Sequence, residues 1–368
     1  MVRKPQPRLE EFDDQPETEM NIYQSQVNPH EIHMETTAPE QPLVPGDKNA
    51  QLALFRTITF KPFDPTLAPY YSTKKRRSPY LPSALLKALI YQKLRRLPSW
   101  RALARELTSN SSICKELGFN KPPSHQTFSV FTKRLGTAGF SAVMRQLVNQ
   151  LRYALPDFGQ EVAIDSSMVK AFANPFNGAR SDADATWGVK KVVKGRPLAK
   201  YGYKLHVVVD ANHDLPIAEL VTGANRNDSP LFPELLEACC RQVQPRVVIA
   251  DAGYDARKNY FFALKLKTIP IIGLNRRRTR RNRRRLDDIM PIDRGSPEWV
   301  DFYSKRAAVE RVFSRLKDLF GLETNLKLRS RTRVEVHFQL CLITLLLLAL
   351  ASATAGIPVL SVEAWRSR

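Results

Sequence analysis

Four residues near the carboxyl end combine a phenol, a guanidinium, a carboxylate and an ammonium at regular spacing. Tyr303, Arg306, Glu310 and Lys317 lie in the run WVDFYSKRAAVERVFSRLKDLF. At 100° per residue they fall within an arc of roughly 60° on one helix spanning Trp299 to Phe320. Phe302, Val309, Phe313, Leu316 and Phe320 fill the adjacent arc and supply a face to bury. Ser296 as N-cap, Pro297 at the first position and Glu298 in the first turn mark the start, and Gly321 marks the stop. A carboxylate among groups that suit phosphate contacts points to chemistry on a phosphate ester; taken alone, an amphipathic surface helix of mixed charge has the same pattern.

Two further acids follow short apolar runs. Asp165 ends EVAID and Asp251 ends RVVIAD. In open α/β sheets, ligands gather beyond the carboxyl ends of the strands. Taken singly, each acid reads rather as a turn or cap residue. Three carboxylates brought together repel unless a cation sits between them, and oxygen-only ligands suit Mg²⁺ or Mn²⁺. A pair of such ions assists phosphodiester cleavage.

The elements that must position these acids form an alternating α/β series. YKLHVVVD and LPIAELVTG flank Ala211 to Asp214 as a hairpin. LFPELLEACCRQ and ARKNYFFALKLK read as helices, and RVVIAD and TIPIIGL as buried strands. With EVAID first, the order predicts a mixed five-stranded sheet with helices on both faces. His206, inside a strand, reads as a packed histidine; Asp182, Asp184 and Asp228 read as turn or cap residues. Ahead of the sheet, five short helices between Pro82 and Leu155 form a small all-α region with Ser99 and Ser124 as caps and Gly136 as a stop. Lys121, His125, Gln126, Thr127, Lys133 and Arg134 could face DNA if these helices form a helix-turn-helix; a helical support or dimerisation unit fits the pattern as well. The expected division is a disordered or extended acidic tail over 1–50, a helical DNA-binding domain over 51–157 and the catalytic domain over 158–368.

Charge points to a polyanionic partner. The chain has 57 Lys and Arg against 36 Asp and Glu, a net +21. Residues 1–50 hold 4 basic and 10 acidic side chains, which leaves +27 on the rest. Arg276, Arg277, Arg278, Arg280 and Arg281 open the block RRRTRRNRRR, read as a phosphate contact rather than a solvated run. The four cysteines show neither CxxC spacing nor a disulfide framework, which fits a reducing compartment. No signal peptide is expected in the acidic start of the chain. The run from Phe338 to Leu350 has nearly membrane-spanning apolar length, but it is interrupted by polar residues and is read as the last buried helix, with no membrane partner.

The chain resembles the DDE transposases of bacterial insertion sequences, in the group marked by a Y-x2-R-x3-E-x6-K signature. Tyr303, Arg306, Glu310 and Lys317 fit every spacing of it, Asp251-Ala252-Gly253-Tyr254 stands as the D-x-G-Y motif, and Asp165 lies in AIDSS as that group's first acid does. The resemblance covers about residues 80 to 355. It implies an RNase H-like catalytic core, Asp165, Asp251 and Glu310 as the catalytic and Mg²⁺-binding triad, and Tyr303, Arg306 and Lys317 as DNA contacts. It further implies cleavage at terminal inverted repeats and joining of the 3′ ends to target DNA, by a homodimer on double-stranded DNA, in the nucleoid-associated cytoplasm of a prokaryote. Two alternatives are a nuclease on the same fold without strand transfer and a transposase-derived DNA-binding protein that no longer catalyses.

Overall fold

The computed structural model describes residues 50–71, 80–176, 181–193, 196–275, 287, 290–323 and 327–359. Six strands form its sheet: β1 (Glu161–Lys170), β2 (Thr186–Val193), β3 (Arg196–Asp210), β4 (Leu215–Gly223), β5 (Val247–Ala250) and β6 (Ile269–Ile272). β3 is the long central strand. Gly202 to Asp210 pair antiparallel with β1 on one side, while β4 and β2 share its other side. β5 lies parallel to β1, and β6 parallel to β5. The five expected strands thus stand in the order β4-β3-β1-β5-β6, three antiparallel and two parallel, as in an RNase H-like core. The sixth, β2, falls in a lysine-rich stretch that reads as a polar connection.

Consecutive residues of a strand point to opposite faces. Val162, Ala163 and Ile164 of β1, Leu205 to Val209 of β3 and all of β5 have no exposed surface. Both faces of the central sheet are therefore covered. The covering helices include α7 (Phe232–Cys240) and α8 (Arg257–Lys265), which pack on each other, and α10 (Ala307–Phe320) and α11 (Arg331–Thr354).

The N-terminal helices are α1 (Ala50–Thr57), α2 (Phe63–Leu67), α3 (Pro82–Leu94), α4 (Trp100–Ser109), α5 (Ser111–Glu116) and α6 (His125–Ala154). Ser99 and Ser124 cap as expected, accepting from Ala102 N at 3.2 Å and Thr127 N at 3.3 Å. Gly136 interrupts α6 at φ 55°, ψ −164°, so the two expected helices abut across a kink with no loop between them.

The apolar run near the end is the core of the whole assembly. Over its most apolar window α11 is 89% buried, along α6 and against α3 and β4. Its few polar side chains find partners inside. Lys93 Nζ of α3 meets His337 Nδ1 at 2.7 Å, with burial pushing both groups down in pKa. Gln339 Nε2 donates to Glu219 Oε1 of β4 at 2.7 Å and to Ser141 Oγ of α6 at 3.0 Å. Glu219 keeps some exposed surface, but its Oε2 is enclosed without a hydrogen-bond partner among the described residues.

Candidate active site

The run expected as one helix over Trp299–Phe320 is two: α9 (Pro297–Ser304) and α10. Lys305, Arg306, Ala308 and Val309 donate to carbonyls three residues back, at 3.0 to 3.3 Å, so the chain tightens into 3₁₀ geometry at the junction. The physical reason lies in the sheet, which the helical angle count ignores. Lys305 Nζ reaches Glu161 Oε2 of β1 at 2.6 Å, while Arg306 turns toward Asp165. The buried face is as expected, with Phe302, Val309, Phe313, Leu316 and Phe320 each at most 6% exposed. Ser296 caps α9, accepting from Trp299 N at 3.2 Å, and Gly321 ends α10 at φ 65°, ψ 40°.

Asp165 is not the end of its strand, because β1 runs on to Lys170. What ends there is the parallel pairing: Ile164 opposite Ala250 is the last pair, and Asp165 and Asp251 are the next residues on each strand. Neighbouring strands lie about 4.8 Å apart, so the two carboxylates leave the sheet side by side. Asp251 accepts from Gly253 N at 2.8 Å. Asp165 Oδ1 accepts from Ser166 N at 2.7 Å.

α10 brings the third acid to this edge. Arg306 bridges the gap, with Nη1 3.7 Å from Asp165 Oδ2 and Nη2 2.9 Å from Glu310 Oε1. The Glu310 side chain is 60% exposed. Farther along, Arg311 grips Asp214 with two bonds of 2.7 Å, and Arg315 adds a third at 3.0 Å. Asp214 sits at φ 51° in the β3–β4 turn and is 2% exposed. Both arginines hold one residue, so they fix α10 to the turn end of the β3–β4 hairpin.

The other signature residues occupy distinct places. Tyr303 stacks on Trp299, centroids 4.7 Å apart, and its hydroxyl lies over Gly273. A Cβ there would stand 2.5 Å from that hydroxyl and 3.0 Å from Ala252 N, so the glycine admits the phenol beside the residue after Asp251. Lys317 pairs with Glu323 at 3.0 Å. Arg276, Arg277, Arg278, Arg280 and Arg281 lie outside the described residues.

Several neighbours of the acids are not evident from spacing. Asp228 accepts from Ser166 Oγ at 2.8 Å and Lys204 Nζ at 3.2 Å, and lies 3.5 Å from His206 Nδ1. Burial pushes His206 down to about 4 against the pull of Asp228, so the imidazole is neutral at pH 7. Tyr254, of the D-x-G-Y motif, has no exposed surface, and its hydroxyl has no hydrogen-bond partner among the described residues. Burial, then Asp228, Asp165 and Asp251, push its phenol well above the ordinary value. For Asp165, burial raises the carboxyl to about 6, with Asp251 and Asp228 adding to it and Ser166 N–H and Arg306 opposing. A buried carboxyl with two further acids beside it is the environment a hard cation relieves.

The model of the transposase DDE domain matches residues 156–347, more than half of the chain. The protein belongs to this family. A second model, the transposase domain DUF772, matches residues 40–134 of this DDE-family chain. A protein of Burkholderia cepacia described as a transposase for insertion sequence element IS402 is 41% identical over 69 residues, 17% of this chain and 32% of that protein. The DDE-family chain thus spans about a third of the length of this curated relative. Among solved structures, the piggyBac transposase synaptic complex with hairpin DNA aligns with 87% of this chain and 78% of its own at 12% identity and a TM-score of 0.42. The Mos1 transposase paired-end complex with left transposon end aligns with 71% and 83% at 12% identity and a TM-score of 0.21. At scores this low, the RNase H-like assignment rests on the strand order itself.

Proposed function

We propose that this DDE-family protein is a DNA transposase that binds the terminal inverted repeats of an insertion sequence, cuts at their 3′ ends and joins those ends to target DNA. The observation that carries the reading is the edge at which Asp165 and Asp251 follow the last parallel pair of β1 and β5, with Glu310 tied to Asp165 through Arg306. Water attacks the phosphodiester at the element end and releases a 3′-hydroxyl. That hydroxyl then attacks a phosphodiester of the target, forming the new bond and expelling a target 3′-oxygen.

The donor set fits Mg²⁺, with Mn²⁺ as a substitute: it is all oxygen, and Asp165 is already crowded by its neighbours. Among the described residues no three His, Cys, Asp or Glu side chains suffice to hold an ion alone. Asp165, Asp251 and Glu310 would hold the ions together with water and substrate phosphate. When bound, they supply charge to the attacking and leaving oxygens. Arg306 keeps Asp165 and Glu310 at a fixed spacing, and α10 holds its place through Asp214. Lys317, Tyr303 and the arginine block contact DNA in this reading, and the helical region over 51–157 contributes to DNA binding. Two ends must be cut and joined together, which a C2 homodimer on DNA accomplishes with one site per end. The setting is the prokaryotic nucleoid.

The test is a labelled element end incubated with wild type and Asp251→Asn in Mg²⁺, with binding followed in Ca²⁺. Cleavage and joining are expected to vanish in the variant while binding persists. Substantial cleavage by Asp251→Asn would end the assignment, and cleavage by wild type without joining would make the protein a nuclease.

A further inference from the structure

Nine large apolar side chains among the described residues stand in solvent, and four of them come from one 18-residue stretch: Phe172, Phe176, Trp187 and Val189. Phe176 is 84% exposed, and its ring lies 5.7 Å from that of Trp187 at a 54° tilt. Trp187 lies opposite Tyr201 in the β2–β3 pairing, ring centroids 5.5 Å apart. Val189 is two residues on, on the same face of β2. Phe172 carries the Arg329 guanidinium 5.8 Å above its ring. The tilted rings do not cover one another, so flat apolar faces remain open.

The charge around this patch selects its occupant. Between Thr186 and Tyr203 the sequence has five basic residues and no acidic one. The nearest upstream carboxylates are engaged: Asp182 accepts from Tyr203 Oη at 2.7 Å, and Asp184 from Arg331 N at 2.9 Å. Aromatic faces within a basic stretch suit a polyanion that also has flat apolar faces, which is an unpaired nucleic acid strand. A paired duplex keeps its bases stacked inside and offers no such face.

The patch also lies within reach of the acids. β1 leads from Asp165 to Lys170, which pairs with Gly202, itself paired with Thr186 beside Trp187. Five residues of strand span about 17 Å, a distance an unpaired strand covers in a few nucleotides.

We propose that Phe176 and Trp187, with Phe172 and Val189 at the margin, form a stacking surface for the bases of an unpaired DNA strand. The inference rests on the reading of DNA as substrate and adds a site for a strand that has left its duplex. The probes are a short mixed-sequence single-stranded oligonucleotide and a blunt duplex of the same sequence. Affinity for the single strand is expected to fall about tenfold or more in Trp187→Ala with Phe176→Ala. Duplex affinity and salt slope should stay unchanged; the melting temperature should fall only modestly, since Phe176 is 84% exposed and Trp187 packs mainly on Tyr201. Trp187→Phe should keep most of the affinity, and Phe176→Ala alone should lose part. Unchanged single-strand binding in the double variant overturns the proposal, as does equal loss on both probes. A wild-type dimer that becomes monomeric in the double variant also overturns it, by making the patch a contact between copies. Duplex binding without single-strand binding by wild type defeats this inference and spares the transposase reading. Single-strand binding without duplex binding does the reverse.

Discussion

Replacing Glu219 by glutamine should stabilise the protein above neutral pH. Burial first, then the Glu335 carboxylate, raise the Glu219 carboxyl from 4.5 to about 8, with the Gln339 bond opposing. The unfolded chain gives up this proton near 4.5, while the folded chain keeps it to about 8. Between those values the unfolded state binds fewer protons, so each rise in pH favours unfolding. The stability tied to this proton is complete below 4.5 and is lost as pH climbs to about 8. At about 1.4 kcal/mol per pH unit the loss has a ceiling of about 5 kcal/mol. Because part of the residue is accessible, about 2–3 kcal/mol is the expected size. Glutamine cannot ionise, and its carbonyl can still accept from Gln339 Nε2. Urea unfolding of wild type and Glu219→Gln at pH 5 and pH 8 would read the difference: near equality at the lower pH, and a higher midpoint for the variant at the upper. Parallel pH dependence in the two proteins would mean that Glu219 ionises within the fold without cost, and would refute the argument.

Asp214→Asn should lower stability by about 2–3 kcal/mol, since two arginines lose their charged partner, and a melting curve checks it. It should also reduce cleavage, because Glu310 rides on the helix those arginines hold. Arg306→Ala should lower cleavage of an element end by about 10- to 100-fold, the equivalent of a lost charge-assisted hydrogen bond or two. Arg306→Lys should recover only part, since an ammonium cannot span both acids as the planar fork does. Alanine at Arg276, Arg277, Arg278, Arg280 and Arg281 should weaken binding to every DNA sequence and flatten its salt dependence; an unchanged salt slope would show that the block neutralises no phosphates.

The acids were legible because their neighbours in sequence are distinctive. Asp165 and Asp251 follow apolar runs, and Glu310 belongs to a spaced signature that local pattern alone can carry. The buried face of α10 follows from periodicity, and the caps at Ser99, Ser124 and Ser296 from residue type. What escaped depends on the register between distant segments. Asp228 joins the acids only because β3 pairs with β1, which sets Ser166, Lys204 and His206 beside it. The 3₁₀ junction at Lys305 and Arg306 answers to Glu161 and Asp165, far away in sequence. β2 escaped because lysines break its alternation and its partner is the first half of a strand whose second half pairs elsewhere.

The place of α11 in the chain has a consequence for synthesis. Its apolar surface is the inner wall for α3, α6 and β4, all translated earlier. As the ribosome delivers those elements, the part of their inward faces that packs on Arg331–Thr354 stays open until that helix emerges. A nascent chain halted before that point exposes the underside of α6 and one face of β4 to water. Its expected fate is capture by chaperones or degradation, so a premature stop codon anywhere upstream should leave no folded DNA-binding fragment to compete with the full-length protein.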